Sequence, residues 1–411
     1  MATRFTGARC GKALFLGLIV AGGVYALLAL NQVSRVPFLR NTPDIHRLPA
    51  HITGGGPANS SSADVEKLRD TIKALEARLD AEARRQTDRE SAAKGRPSDK
   101  RRPQVYKDLT AYPFREDPHY HESTCPKTVA SIAQYSKWFK DRYRPKVKVF
   151  LDKDDVGNFS DISNHGLPFG YKRESKDLLA KILTHPSFTN APIHTAGTRK
   201  QCIRCAVIGC GGILKGSGAG PEIDSHDYVF RLNHAVSTGR LEKDVGIKTS
   251  FYIFFPESMS VTSLVDKDAT YIYTMFKTYD MNYAVNMLNR EKPPEYASGG
   301  QKIALRQPNV DPAKLKIVHP DFFRYTFAGY LDAVAYRPTT GAMVVFLALH
   351  ICDEVTIYGF GYDPRFTMHY YDNNFVKHTD VSTGSHDVDN ERQLWQKLHD
   401  EGVIRLFKRD P

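Results

Sequence analysis

A short apolar run followed at once by a glycine-rich turn constrains the fold of this 411-residue chain more than any other feature. Ala206-Val207-Ile208 predicts a strand, and Gly209, Gly211 and Gly212 come directly after it. Because glycine lacks a Cβ atom, a phosphate or a sugar can approach the bare backbone at such a turn. The pattern is typical of a nucleotide site, although an ordinary strand–helix turn would use the same residues.

Beyond Cys125, predicted strands and helices alternate, which favours a mostly parallel sheet covered on both faces. Apolar runs predict strands at Ala206–Ile208, Tyr228–Leu232, Ser250–Phe255, Thr270–Met275, Lys316–His319 and Val355–Tyr358, and a final edge strand at Val403–Phe407. Helices are predicted at Gly341–His350 and at Asp387–His399, the second ended by Gly402. The sequence therefore predicts one α/β, Rossmann-like domain over residues 105–411.

The N-terminal quarter of the chain differs from this domain. Residues 13–30 are uncharged and apolar, and a helix of this length spans ~27 Å, close to the ~30 Å hydrocarbon core of a bilayer. We expect a transmembrane signal anchor here, after a cytosolic tail of residues 1–12, with a cleaved signal peptide as the alternative. The domain at residues 105–411 would then be luminal.

A stem is predicted at residues 31–104, because its glycine and serine runs and its charged stretch cannot supply a core. Within it, apolar residues recur at spacings of three and four between 63 and 85. The spacing fits a coiled coil of about two heptads, which would make the stem a homodimer contact, and it fits a single amphipathic helix equally well.

Charge and cysteines narrow the function class. The net charge is +11, but basic and acidic residues are interspersed and no nucleic-acid motif occurs, so we predict no nucleic-acid partner. Cys202-x-x-Cys205 would suit a zinc site, but no second close pair accompanies it, and a luminal location favours disulfides. Asn59 and Asn158 begin Asn-x-Ser sequons, where glycosylation is possible in a luminal segment.

Three more polar clusters follow the glycine turn: Arg337-Pro338-Thr339-Thr340-Gly341, His369-Tyr370-Tyr371-Asp372, and His386 with Glu391 five residues later. Together with Cys202–Ser250, and in this order, they resemble the four sialyl motifs of glycosyltransferase family 29, the animal sialyltransferases. The resemblance covers roughly residues 120–411. It implies a GT-A-like variant fold, a single-pass type II protein of the Golgi membrane, and transfer of sialic acid from CMP-sialic acid with inversion.

The resemblance also implies a donor site. Its members would be Gly209, Cys210, Gly211, Gly212, Asn233, Thr339, Thr340 and Gly341. The threonines precede a predicted helix, whose first N–H groups suit an anion, although plain helix capping would use the same residues. Cys210 departs from the family, where asparagine is common at this position.

Three residues would carry the chemistry if the resemblance holds. His369 would contact the departing phosphate, and His386 would act as the general base, with Glu391 helping to orient its imidazole. Without the resemblance, His369 would be interpreted as a surface histidine and Glu391 as an exposed helix glutamate.

The family pattern further implies disulfides Cys205–Cys352 and Cys125–Cys202, leaving Cys210 as a free thiol. Because the donor carries a single phosphate, no metal or other cofactor is expected. Asp-x-Asp triplets occur at 152–154, 266–268 and 387–389, and we interpret them as solvated loop or helix-start carboxylates rather than metal ligands.

The acceptor is less constrained. Segments 167–170, 319–322 and 398–402 are similar to the GalNAc α2,6-sialyltransferases of types I and II, whereas segments 255–258, 276–278 and 359–389 are similar to β-galactoside α2,3-sialyltransferases. We predict transfer to O6 of GalNAc in mucin-type O-glycans of glycoproteins, with α2,3 transfer to Galβ1,3GalNAc of O-glycans or glycolipids as the alternative.

The sequence also bears on two other function classes. A dinucleotide oxidoreductase is disfavoured because Leu214 replaces the third glycine of Gly-x-Gly-x-x-Gly. A non-catalytic glycan-binding protein stays open because Cys210 is unusual.

Overall fold

The computed structural model describes residues 108–193, 202–235, 237, 239–258, 268–298, 301–303, 305, 310–361, 363–377 and 386–410. The predicted anchor at 13–30, the stem with its segment 63–85, and the sequon at Asn59 lie outside these residues. None of the helices within the described residues is both long enough and apolar enough to cross a bilayer.

A seven-stranded parallel sheet forms the centre of the domain. The strands are β1 Arg204–Ile208, β2 Tyr228–Leu232, β3 Phe251–Phe254, β4 Thr270–Tyr273, β5 Tyr296–Ser298, β6 Gln301–Ile303, β7 Leu315–Ile317, β8 Glu354–Tyr358 and β9 Arg405–Leu406. The order is β7-β4-β3-β2-β1-β8-β9, while β5 and β6 form a separate antiparallel pair. All seven predicted strands are present, which confirms the parallel α/β class.

Helices cover the sheet and connect its strands. They are α1 Val129–Ala133, α2 Lys137–Lys140, α3 Asp154–Gly157, α4 Lys176–Leu183, α5 Gly220–Asp224, α6 Glu242–Val245, α7 Thr278–Asn289, α8 Pro320–Tyr330, α9 Thr340–Ile351 and α10 Val388–Asp400. The two helices predicted from the sequence correspond to α9 and α10, and Gly402 follows α10 at a φ of 74°. Because α9 is apolar on nearly all sides, it is buried against β1, β2 and β8.

The chain reverses direction across the sheet at β1. It first adds β2, β3, β4 and β7 on one side of β1, and then returns to add β8 and β9 on the other. Open parallel sheets bind ligands beyond the carboxyl ends of the strands at such a reversal. The crevice between the ends of β1 and β8 is therefore the expected site, and the glycine turn lies there.

Two disulfides lie at the amino ends of β1 and β8, away from this crevice. Cys205 on β1 is bonded to Cys352 just before β8, and Cys125 is bonded to Cys202 just before β1. These are the pairings that the family resemblance implied. Cys210 is a free thiol.

Candidate active site

The glycine turn is hydrogen-bonded to the end of β8 and to the loop that follows it. Gly209 N–H donates to the Tyr358 carbonyl at 2.8 Å, and Gly211 N–H donates to the Gly359 carbonyl at 2.9 Å. A Cβ atom on Gly211 would lie 2.5 Å from the Gly359 oxygen, and one on Gly212 would lie 2.0 Å from the Thr367 oxygen. Gly211 and Gly212 are therefore required for close packing between these two loops. The sequence had suggested only that a ligand approaches their backbone.

Cys210 links the same turn to His369. Tyr370 N–H donates to the Cys210 carbonyl at 2.9 Å, and the Tyr371 hydroxyl donates to the Cys210 sulfur. Burial raises the pKa of the Cys210 thiol to about 11, so it stays protonated at neutral pH and behaves as a packing residue.

The His369 ring is held on two sides. It stacks on Tyr371 with centroids 5.0 Å apart, and its Nδ1–H donates to the Asp372 carboxylate at 2.9 Å. The side chain is about one-third exposed, at 33%. Nε2 is the ring nitrogen left for a ligand, and the orientation of the ring is fixed before any ligand arrives.

Asn233, at the end of β2, supplies an unsatisfied polar atom. Its main chain is fixed, because its N–H donates to the Ile253 carbonyl at 3.1 Å and its carbonyl accepts the Tyr252 hydroxyl at 2.8 Å. The side-chain Oδ1 is buried and has no hydrogen-bond partner among the described residues. Leaving such an oxygen unpaired costs roughly 1–3 kcal/mol, so a ligand donor at this point would stabilise it.

Thr339 caps the N-terminus of α9 and is bound on its other side by Glu391. The Thr339 hydroxyl accepts the Ala342 N–H at 3.0 Å. Thr339 N–H donates to Glu391 Oε1 at 2.8 Å, and the hydroxyl lies 2.5 Å from Glu391 Oε2. The N–H and the hydroxyl of Thr339 are therefore both bonded within the protein. Of the three donor-site residues predicted in this segment, Thr340 and Gly341 are better placed to bind a ligand.

Glu391 differs from both sequence interpretations. It is 2% exposed, so it is not a surface glutamate, and its carboxylate is bonded to Thr339 rather than to the His386 imidazole. Burial raises the pKa of Glu391 to about 7, and the two bonds from Thr339 oppose that rise.

His386 lies immediately before the cap of α10 and reaches the segment that leads into α9. Its Nδ1–H donates to the Arg337 carbonyl at 3.1 Å, which fixes the tautomer and leaves the Nε2 lone pair available. Burial lowers the pKa of His386, and the Arg337 charge lowers it further against two main-chain carbonyls that raise it. A neutral imidazole with a free Nε2 is the form that a general base requires.

Phe360 joins the glycine turn to α9, and sequence reasoning missed it. Its ring would lie 2.9 Å from a Cβ on Gly209 and 3.0 Å from a Cβ on Gly341. It also meets Trp395 of α10 edge-on at 5.7 Å. The only signal in the sequence was an aromatic residue between Gly359 and Gly361 at the end of a strand.

One carboxylate of each Asp-x-Asp triplet is bonded to a neighbouring residue. Asp152 pairs with Lys148 at 2.7 Å, Asp268 pairs with Lys314 at 3.1 Å, and Asp387 accepts the Asn390 N–H at 3.0 Å as the cap of α10. Asp266 lies outside the described residues. Asp152 is thus more enclosed than the predicted solvated carboxylate, at 21% exposure.

The sequon residue Asn158 ends the short helix α3. Its side-chain amide donates to the Asp154 carbonyl at 2.8 Å. Glycosylation replaces one of the two hydrogens on this amide nitrogen, so the other can keep the bond.

The sequence of this chain is similar to those of several known proteins. The sequence model described as "Glycosyltransferase family 29 (sialyltransferase)" matches residues 150–403. Alpha-N-acetylgalactosaminide alpha-2,6-sialyltransferase 1 of Homo sapiens is 34% identical over 329 residues, which cover 70% of this chain and 52% of that protein. CMP-N-acetylneuraminate-beta-galactosamide-alpha-2,3-sialyltransferase 1 of Sus scrofa is 31% identical over 307 residues, covering 74% of this chain and 85% of that protein.

A solved structure is similar as well. The crystal structure of a mammalian sialyltransferase in complex with Gal-beta-1-3GalNAc-ortho-nitrophenol matches with a TM-score of 0.54 and 27% identity, over 70% of this chain and 100% of that one. The match spans 52% to 60% of the length of the type 1 alpha-2,6 relatives from three species, so this chain corresponds to little more than half of those proteins.

Proposed function

The chain belongs to glycosyltransferase family 29, and we propose that it transfers sialic acid from CMP-sialic acid to a glycan hydroxyl with inversion. The observation that carries the proposal is the setting of His386. Its Nδ1–H is held by the Arg337 carbonyl at the entrance to α9, so Nε2 can accept a proton there.

These positions support the following step. The acceptor oxygen attacks C2 of sialic acid as its proton passes to His386 Nε2, and the bond from C2 to the CMP phosphate breaks on the opposite face. In its imidazolium form, His369 donates Nδ1–H to Asp372 and presents Nε2–H to the departing phosphate, whose charge it offsets.

The donor would be held by Asn233 and by the start of α9. The Asn233 Oδ1 atom is suited to a ribose hydroxyl, and the N–H groups of Thr340 and Gly341 at the start of α9 are suited to an anion. Because the donor has one phosphate, the proposed chemistry uses no metal. Among the described residues, no three His, Cys, Asp or Glu side chains are grouped as metal ligands.

For the acceptor, we propose O6 of GalNAc in mucin-type O-glycans of glycoproteins. The alpha-2,6 relatives named for N-acetylgalactosaminide support this choice at 33–35% identity. The alternative is α2,3 transfer to Galβ1,3GalNAc, supported by relatives at 30–31% identity and by the acceptor in the similar crystal structure. The proposed location is the Golgi membrane, with the catalytic domain luminal and the stem as a homodimer contact.

A linkage assay tests the proposal. The full chain is incubated with CMP-sialic acid and either GalNAc-Ser/Thr or Galβ1,3GalNAc-Ser/Thr glycopeptides, and the product linkage is determined, with His386→Gln as the matched inactive control. We expect sialic acid on O6 of GalNAc. Sialic acid only on O3 of galactose would select the α2,3 alternative, and no transfer to either peptide would favour a lipid acceptor or a non-catalytic protein.

A further inference from the structure

The C-terminal tail that follows β9 reaches both loops of the proposed donor site. β9 runs parallel to β8, and Phe407 N–H donates to the Ile357 carbonyl at 2.9 Å. Because parallel strands end at the same edge of a sheet, residues 408–410 emerge at the edge that holds the glycine turn and the His369 loop. The tail is thus placed to contact the site without belonging to it.

Arg409 of this tail binds the segment that follows the glycine turn. Its Nη1 donates to the Gly216 carbonyl and its Nη2 to the Lys215 carbonyl, both at 2.8 Å. The guanidinium carbon also lies 5.1 Å from the centroid of Phe366, in the loop after β8. The Asp244 carboxylate accepts the Gly216 N–H at 2.8 Å. The main chain of this segment is therefore held by an arginine on its carbonyls and by an aspartate on its N–H.

The Lys215 side chain extends this contact to His369. Its Nζ donates to the Asp372 main-chain carbonyl at 2.6 Å, and the Asp372 carboxylate accepts His369 Nδ1–H at 2.9 Å. Lys215 is exposed, and an exposed lysine loses rotamer freedom when it forms such a bond. The bond is favoured when the lysine main chain is already fixed, and Arg409 fixes it. The contacts thus run without a break from the Arg409 guanidinium to the His369 imidazole.

We propose that Arg409 and Lys215 are positioning residues for His369, because together they fix the loop that presents His369 Nε2 to the phosphate of the donor. Lys215 keeps Asp372 in place, and Arg409 keeps Lys215 in place. Because the two residues act on the same contact, the double variant should bind a phosphate ligand about as well as either single variant. This inference rests on the proposed function, in which His369 meets the departing phosphate.

Five variants separate positioning from charge. Arg409→Met and Lys215→Met remove the donating groups and keep an unbranched side chain, whereas Arg409→Lys and Lys215→Arg keep the charge and a donor. Lys408→Met is the matched control, because it removes one positive charge from the same tail. The Lys408 Nζ donates to Gln396 of α10 at 2.8 Å and so belongs to neither loop.

The measurement is the dissociation constant of CMP and of cytidine for the purified full chain, by titration calorimetry. The two ligands differ by the phosphate, so the ratio of their constants isolates the contact that His369 makes. Arg409→Met and Lys215→Met should weaken CMP binding by about three- to tenfold and leave cytidine binding within about twofold. Arg409→Lys and Lys215→Arg should recover part of the lost CMP affinity, and Lys408→Met should bind both ligands like the wild type.

A second comparison tests whether the effect passes through His369. In a His369→Gln background, neither methionine substitution should weaken CMP binding further. A loss of the same size in that background would show that Lys215 or Arg409 acts on the phosphate by another route, and it would overturn the inference. Equal weakening of CMP and cytidine would show a merely structural role and overturn it too. Because Lys215 is exposed, Lys215→Met decides the matter even if Arg409→Met does not fold.

The wild type distinguishes failure of this inference from failure of the proposed function. If the wild type prefers CMP to cytidine and the methionine variants keep that preference, the inference alone is refuted. If the wild type prefers CMP but transfers no sialic acid, the proposed function fails, and the ratio still decides whether the tail positions His369. If the wild type binds CMP no tighter than cytidine, His369 makes no phosphate contact, and the inference is refuted with it.

Discussion

Replacing Glu391 by glutamine should change how the stability of the domain depends on pH. Burial raises the pKa of this carboxyl from an ordinary 4.5 to about 7. Between these two values the folded chain holds a proton that the unfolded chain releases, so the free energy of unfolding falls as the pH rises through this window. Glutamine has no such proton, and Glu391→Gln should therefore lack this loss.

The expected size follows from the same two values. A difference of one pKa unit is worth about 1.4 kcal/mol, so the wild type should lose about 2–3 kcal/mol between pH 5 and pH 8 relative to Glu391→Gln. For a unit of about 300 residues, this corresponds to a relative change in Tm of about 4 °C. A constant difference from the altered bonds to Thr339 is superimposed, and it cancels when the two pH values are compared.

The assay is thermal unfolding of wild type and variant at pH 5 and pH 8, without reductant so that the disulfides stay intact. Glu401→Gln is the matched control, because Glu401 follows the same helix but is 30% exposed. The Tm of Glu391→Gln relative to wild type should rise from pH 5 to pH 8, and that of Glu401→Gln should not. An equal offset at both pH values would mean that Glu391 is not protonated in the folded protein near neutral pH.

Three further outcomes are expected. His386→Gln should lower transfer by about 10²–10⁴-fold with CMP binding retained, since proton removal is separate from the donor contacts, and wild-type turnover by the purified variant would exclude His386 as the base. EDTA should leave the activity intact, and complete inactivation reversed by Mn²⁺ would require a metal in the mechanism. Loss of the Cys205–Cys352 bond in Cys352→Ser should destabilise the domain by ~2–5 kcal/mol in denaturant unfolding, and free thiols at both positions in active protein would contradict the pairing.

The central strands could be predicted from sequence because each is a short apolar run ended by a turn residue. Every residue of β3 is buried, and four of the five in β1 and in β2 are, so their composition alone marks them. The residues at which the strands begin and end are harder to predict, because hydrogen bonds to the neighbouring strands determine them. β1 begins at Arg204, an exposed residue that no apolar pattern includes, because it pairs with Glu354 of β8.

The purpose of the glycines was only partly predictable. Their spacing indicated a turn after β1, which is correct. What excludes a side chain at Gly211 and Gly212, however, is the carbonyl oxygens of Gly359 and Thr367, about 150 residues later in the chain. Contacts at such separation are set by the sheet order, which places β8 beside β1, and no local pattern reveals them.

Glu391 contacts Thr339 rather than His386 because a helix boundary lies between the two residues. His386 precedes the cap residue Asp387, whose φ of −100° and ψ of 84° are not helical, so it does not share a face with Glu391 by periodicity. Instead the two side chains reach the same extended segment at two points, His386 at the Arg337 carbonyl and Glu391 at Thr339. The start of α10 is thereby bonded to the entrance of α9 on both sides of Pro338. Under the proposed function this arrangement ties the base to the donor-binding turn, because α10 cannot shift His386 without also straining the cap of α9.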